Sequence, residues 1–112
     1  MAIGGVMMEE NAPLTEGVYY ILLALYEPRH GYGIMQFVSE LSNGRVELGP
    51  GTIYGAIKTL VKRKWIVPLD DGGRKKEYVI TEAGKLLIEA EIKRLDELHH
   101  NGLLITKEER QQ

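Results

Sequence analysis

Apolar residues recur along this chain in blocks, and the period of the blocks changes. From Gly17 to Tyr26 almost every position is apolar, Val18 through Leu25 without a break, and this length predicts a helix buried on most sides. Thr15 stands where an N-cap belongs, and Glu27-Pro28 ends the helix, because the residue before a proline avoids helical dihedrals. A second helix opens at Gly31-Tyr32-Gly33. It carries Ile34, Phe37, Val38 and Leu41 at i, i+3, i+4 and i+7, and Asn43-Gly44 closes it in the left-handed conformation both residues tolerate. Arg45 to Leu48 read as a short extended piece, and Gly49-Pro50-Gly51 as a turn whose proline seeds a third helix. That helix runs to about Lys64, with Ile53, Ile57, Leu60 and Val61 along one face.

The period then shortens. Ile66 to Leu69 read as a strand, Asp70-Asp71-Gly72-Gly73 as a hairpin turn, Arg74-Lys75-Lys76 as its basic tip and Tyr78 to Ile80 as the returning strand. Thr81 with Glu82 starts a long last helix that ends near His100, after which Asn101-Gly102 introduces a tail. Residues 1–12 read as a flexible lead and residues 101–112 as a C-terminal tail. The order is helix, helix, short strand, helix, hairpin, helix. The expected fold is therefore mainly α with a small β-hairpin: a winged helix-turn-helix over residues 13–80, followed by a C-terminal dimerisation helix over residues 81–100.

Composition narrows the function classes. A length of 112 residues bounds the chain to one domain, and its 44% hydrophobic and 27% charged content is ordinary for a globular protein. There is no cysteine, and the three histidines have no acidic spacing that suggests a metal site, so neither metal nor cofactor is expected. No apolar run approaches a membrane span and no secretory leader pattern opens the chain, so a cytoplasmic location is expected. The net charge is −2, but residues 50 to 76 hold seven lysines and arginines against Asp70 and Asp71, a local +5. Phosphates respond to the local field, so this asymmetry points to nucleic acid more strongly than the total points away from it.

The third helix supplies the candidate contacts. Gly51 and Thr52 lie at its start, where backbone N–H groups approach phosphate, and Tyr54 can reach a phosphate through its hydroxyl. Lys58 and Lys62 lie one turn apart, opposite the apolar face. Arg74, Lys75 and Lys76 place cations at the hairpin tip, beside a minor groove or a phosphate. Tyr19 and Tyr32 complete the set of expected DNA contacts. Each feature alone also fits a solvated face, an N-cap or a packing residue; recognition helix and wing in the right order are far rarer by chance.

The chain resembles the PadR family of bacterial transcriptional regulators. The resemblance is carried by Ile21-Leu22-Leu23-Ala24-Leu25, by His30-Gly31-Tyr32-Gly33-Ile34, and by Gly51-Thr52-Ile53-Tyr54 followed by Ile57, Leu60 and Ile66. It continues in Gly73-Arg74-Lys75-Lys76-Glu77-Tyr78 and Thr81-Glu82-Ala83-Gly84, and covers roughly residues 14 to 100. It implies a homodimeric repressor on a palindromic double-stranded DNA operator, with a small-molecule effector able to release it. A single C-terminal helix is similar to the shorter subfamily, which includes multidrug-responsive regulators. Two positions depart from the pattern. Trp65 stands where the family usually has a glycine after the recognition helix. Leu95 stands where multidrug-binding relatives carry a tryptophan at the dimer centre, so a flat drug would find no aromatic partner on this helix.

The last helix is the expected dimer interface. Ile88, Ile92 and Leu95 have 4-3 spacing, and Leu87 and Leu98 widen the stripe beyond what a small domain needs to cover itself. Two other function classes compete. Winged helices also serve as protein-binding modules without DNA, which steep salt dependence of duplex binding would separate from a regulator. An enzyme would need a nucleophile or an acid/base pair, and His99-His100 on a polar helix read as solvated.

Overall fold

The computed structural model describes residues 12–70 and 76–111, the side chains of 110 and 111 excepted. It contains α1 (Glu16–Ala24), α2 (Gly31–Leu41), α3 (Pro50–Lys62), β1 (Ile66–Leu69), β2 (Glu77–Ile80) and α4 (Glu82–Gln111). Residues 14–88 form one compact unit, and the helical residues from 89 onward belong to a second.

The first unit is a winged helix. Ile21, Leu22, Ala24 and Leu25 meet Ile34 and Val38 of α2, Ile53, Ile57 and Leu60 of α3, and Ile66, Ile80 and Ile88. All are at most 5% exposed. Each large aliphatic side chain buried this way stabilises the fold by about 1.5–3 kcal/mol before chain entropy is counted. Trp65 packs half-buried against the same core, with the Arg63 guanidinium 5.3 Å from its ring centroid.

The helix ends follow local chemistry. Thr15 caps α1 by accepting a hydrogen bond from the Val18 N–H at 3.2 Å. The helix ends at Ala24, two residues before the expected Tyr26, because the Leu25 carbonyl accepts from the Ile80 N–H of the wing. His30 caps α2, its Nδ1 accepting from the Gly33 N–H at 3.2 Å. That bond requires the lone pair on Nδ1. Both α2 and α3 end in a Schellman motif. Asn43 (φ 55°) donates to the Glu40 carbonyl, and Gly44 donates to Ser39. Lys64 (φ 64°) donates to Val61, and Trp65 donates to Leu60. The left-handed position after the recognition helix is therefore Lys64, not Trp65.

β1 and β2 pair antiparallel in the register Ile66↔Ile80, Val67↔Val79, Pro68↔Tyr78 and Leu69↔Glu77. The expected extended piece at Arg45 to Leu48 is not part of the sheet. The wing's additional partner is Arg29, whose N–H and carbonyl both bond to Tyr78. The Arg29 guanidinium donates to the Ala24 carbonyl and lies 4.4 Å from the Phe37 ring centroid, which anchors this loop between α1 and α2. Arg45 instead binds Glu16.

Thr81 is the hinge between wing and last helix. Its hydroxyl accepts from the Gly84 N–H at 3.1 Å and donates to the Lys64 carbonyl at 2.8 Å. Gly84 is required here, because a Cβ would stand 2.3 Å from the Trp65 carbonyl oxygen. The helix that follows does not stop near His100. It continues to Gln111, and the expected tail is helical as far as it is described. Gly102 ends a helix only by turning left-handed, and it does not. Retaining it in a helix costs about 1 kcal/mol against Ala, which good helix formers around it offset. In the second unit Ile92, Leu95, Leu98, Leu103, Leu104 and Ile105 are each 40% exposed or more. Glu91 is buried and bound by the Arg94 guanidinium at 2.6 Å.

Candidate nucleic-acid interface

Helix α3 is amphipathic in the way a groove-reading helix must be. Ile53, Ile57 and Leu60 fix it to the core, and Gly51, Thr52, Tyr54, Gly55, Lys58, Thr59 and Lys62 are exposed. Gly49 is the N-cap, Pro50 takes the first turn, and no side chain caps the N-terminal amides. Thr52 is thus not an N-cap; it sits exposed inside the first turn. No heavy atom of another described element stands within 4 Å of where a Cβ on Gly51 or Gly55 would be, so the backbone there is open to close approach. Lys62 also lies in the last turn, where a cation is favoured by the helix dipole.

Tyr54 is 54% exposed and lies across the start of α2. A Cβ on Gly31 would come within 2.5 Å of the Tyr54 hydroxyl oxygen, so Gly31 makes room for this ring. Beside it Tyr32 is 56% exposed and stacks on His30, with ring centroids 6.5 Å apart. Tyr19, on α1, is half-buried and meets Tyr20 edge-on at 6.1 Å.

The wing supplies the other wall. Lys76 is exposed immediately before β2 and lines a groove shared with Tyr54, Ile57, Lys58, Val61, Pro68 and Tyr78. Of the residues expected from sequence, the groove brings together Tyr54, Lys58 and Lys76; Thr52, Lys62, Tyr19 and Tyr32 do not line it. Arg74 and Lys75 lie outside the described residues. Pro68 and Tyr78 were not expected at the site. Their signal was the hairpin register: directly paired residues share a sheet face, and Tyr78 faces opposite to Glu77, which carries that acid away from the groove.

The residues expected at a dimer interface divide. Ile88 is 1% exposed and forms part of the winged-helix core, and Leu87 packs half-buried against that core. Ile92, Leu95 and Leu98 are 49%, 40% and 54% exposed.

Comparison with known proteins agrees with this architecture. The sequence pattern of the PadR-like family of transcriptional regulators matches residues 20–90. An uncharacterised 37.1 kDa protein of a Streptomyces fradiae transposon is 39% identical over 72 residues, 63% of this chain and 20% of that protein. The chain thus spans about a fifth of that relative's length. Among solved structures, RosR of H. salinarum superposes with a TM-score of 0.64 at 19% identity, covering 90% of this chain and 98% of that one. A PadR-like transcription factor of Bacteroides fragilis does so with a TM-score of 0.63 at 20% identity, covering 89% and 95%. These two share the fold. With most of the winged helix inside the matched span, the chain belongs to the PadR-like family of transcriptional regulators.

Proposed function

We propose that this chain is a homodimeric repressor that binds a palindromic DNA operator. In this reading residues 13–80 are the DNA-reading domain and the helix from residue 81 carries the dimer contact. Helix α3 enters the major groove through Thr52, Tyr54, Lys58 and Lys62, and the wing, with Lys76 and the tip Arg74-Lys75, lies along the flanking backbone. Tyr19 and Tyr32 serve as peripheral contacts from α1 and α2. The observation that carries the reading is the bare outer face of α3. A helix fixed on one side by Ile53, Ile57 and Leu60 presents polar and basic groups on the other, beside a wing cation.

The dimer contact is assigned to Ile92, Leu95 and Leu98, since Ile88 is already committed to the core. Three large apolar side chains left in water at three-residue steps favour a second copy. A two-fold pair of reading heads matches two half-sites spaced by whole helical turns. Members of this family act as regulators rather than enzymes, and among the described residues no group of three metal-ligating side chains converges. No described helix is long and apolar enough to cross a membrane, in keeping with the cytoplasmic location proposed for a regulator.

The test is duplex binding against salt. With promoter DNA from the chain's own locus, log affinity should fall linearly with log salt, with a slope set by the number of phosphates neutralised. Binding that is indifferent to salt would reject the DNA reading and favour a protein-binding module.

A further inference from the structure

The loop between α1 and α2 holds the wing at two points, one farther out than the other. At the base, Ile66 and Ile80 lie in the core, and the Ile80 N–H donates to the Leu25 carbonyl at 2.8 Å. Two residues nearer the tip, the Tyr78 N–H donates to the Arg29 carbonyl at 2.9 Å, and the Tyr78 carbonyl accepts from the Arg29 N–H at 3.1 Å. These are the outermost backbone bonds from the wing to the helices among the described residues. A base anchor alone leaves a two-stranded ribbon free to tilt, and the second anchor sets its direction. Lys76 lies four residues out from Ile80. That is a lever of about 13 Å, so a tilt of about 15° would move it by about 3 Å, the length of a hydrogen bond.

Arg29 is in turn held by its own side chain. Tyr26, Glu27 and Pro28 before it are exposed, so no core side chain fixes the loop between Leu25 and Arg29. The Arg29 guanidinium turns back onto the helices, donating to the Ala24 carbonyl at the end of α1 and lying 4.4 Å from the Phe37 ring centroid on α2. A planar guanidinium can donate at its edge while its face lies on a ring, which an ammonium cannot do. The Glu27 carboxylate is 4.0 Å away but 81% exposed, too solvated to hold it. The side chain of Arg29 is 26% exposed, and both of its uses are directed inward.

We infer that Arg29 is a positioning residue for DNA binding: it fixes the direction of the wing, so that Lys76 meets the same duplex as α3. The inference rests on the DNA reading proposed above. Without the guanidinium the loop slackens, the wing tilts and the Lys76 contact is lost. The contacts of α3 persist, because Ile53, Ile57 and Leu60 hold that helix to the core independently.

The test is a double-mutant cycle on duplex binding, with promoter DNA from the chain's own locus. In the parent, Lys76→Ala should lower affinity about thirtyfold at about 0.15 M salt, one phosphate contact being lost from each half of a dimer. In the Arg29→Gln background the same substitution should cost no more than about twofold, because Lys76 has already left its phosphate. Lys58→Ala should keep its full cost in both backgrounds. A Lys76→Ala cost that is absent in the parent or equal in both backgrounds would overturn the inference. So would a Lys58→Ala cost that disappears as well, since the whole domain rather than the wing would then be displaced. A second arm needs no DNA. In Arg29→Gln, hydrogen exchange of the Tyr78 amide should quicken about tenfold while the Ile80 amide stays as in the parent; unchanged protection of Tyr78 would overturn the inference. Phe37→Leu, which takes the ring from the guanidinium, should reproduce both patterns. A domain unfolded by both substitutions would show that Arg29 holds the core rather than the wing, and would also overturn it. Failure of the parent to bind duplex rejects the DNA reading, and the exchange arm still shows whether Arg29 holds the wing.

Discussion

Lys58→Ala tests the interface and the dimer together. Lys58 is exposed in the middle of α3 and lines the groove beside the wing, so its removal exposes no core and should leave the fold intact. In a two-fold complex the substitution is present twice. Each phosphate contact contributes about 0.9 to the slope of log affinity against log salt, so the slope should fall by about 1.8 in a dimer and about 0.9 in a monomer. The same relation gives the loss of affinity. Measured from a one-molar reference, one contact is worth about fivefold at 0.15 M salt, and two are worth about thirtyfold. At 0.05 M the pair is worth about 200-fold, so the defect should grow as salt is lowered. Fluorescence anisotropy of a labelled duplex over that range measures both quantities, with Lys107→Ala, exposed on α4, as an unaffected control. An unchanged slope removes Lys58 from the interface. A defect of equal size at every salt concentration would mean that Lys58 acts through something other than a phosphate contact.

The remaining predictions concern the scaffold. Lys64→Gly should raise stability by about 0.5–1 kcal/mol, because relief of the left-handed conformation, worth about 1–2 kcal/mol, exceeds the added entropy of the unfolded chain. Both backbone hydrogen bonds of Lys64 survive the change, so a lower unfolding midpoint at fixed protein concentration would contradict it. Gly84→Ala should destabilise by about 1–3 kcal/mol net of the roughly 1 kcal/mol gained in helix propensity, since the new methyl collides with the Trp65 carbonyl; a denaturant midpoint at or above that of the parent would show that α4 shifts freely. Ile92→Glu should yield monomers in sedimentation, because it places an unpaired charge in the proposed seam, and an intact dimer would move the seam elsewhere. The Glu16 carboxylate is held below its ordinary value of 4.5 chiefly by its hydrogen bond to Arg45. A lowered acid contributes stability above 4.5 that is lost as pH falls through the folded value. The stability difference between parent and Glu16→Gln should therefore be flat at neutral pH and shrink below 4.5; a difference that grows on acidification would reverse the sign of the argument.

The sequence by itself determined most of the scaffold. Helical spacing of Ile34, Phe37 and Val38, and of Ile53, Ile57 and Leu60, marks the core faces because burial of a helix stripe is a local pattern; Leu41, the last member of the first stripe, is 51% exposed at the helix end. Asn43-Gly44 and the strand-turn-strand pattern after Trp65 are likewise local, and the concentration of cations between residues 50 and 76 is visible in composition alone. Tertiary structure decided the rest, because it depends on partners distant in the chain. Arg29, rather than the segment from Arg45 to Leu48, completes the wing, since the loop after α1 is the backbone that packing brings to Tyr78. One apolar stripe on the last helix proved to have two fates: Ile88 lies in the core, and Ile92, Leu95 and Leu98 remain in water. Spacing cannot separate those fates, as it records which residues share a face and not where the neighbouring surface ends. For the same reason Lys58 and Lys76, eighteen positions apart, read only as members of a basic stretch until the hairpin folds back and sets them on opposite walls of one groove.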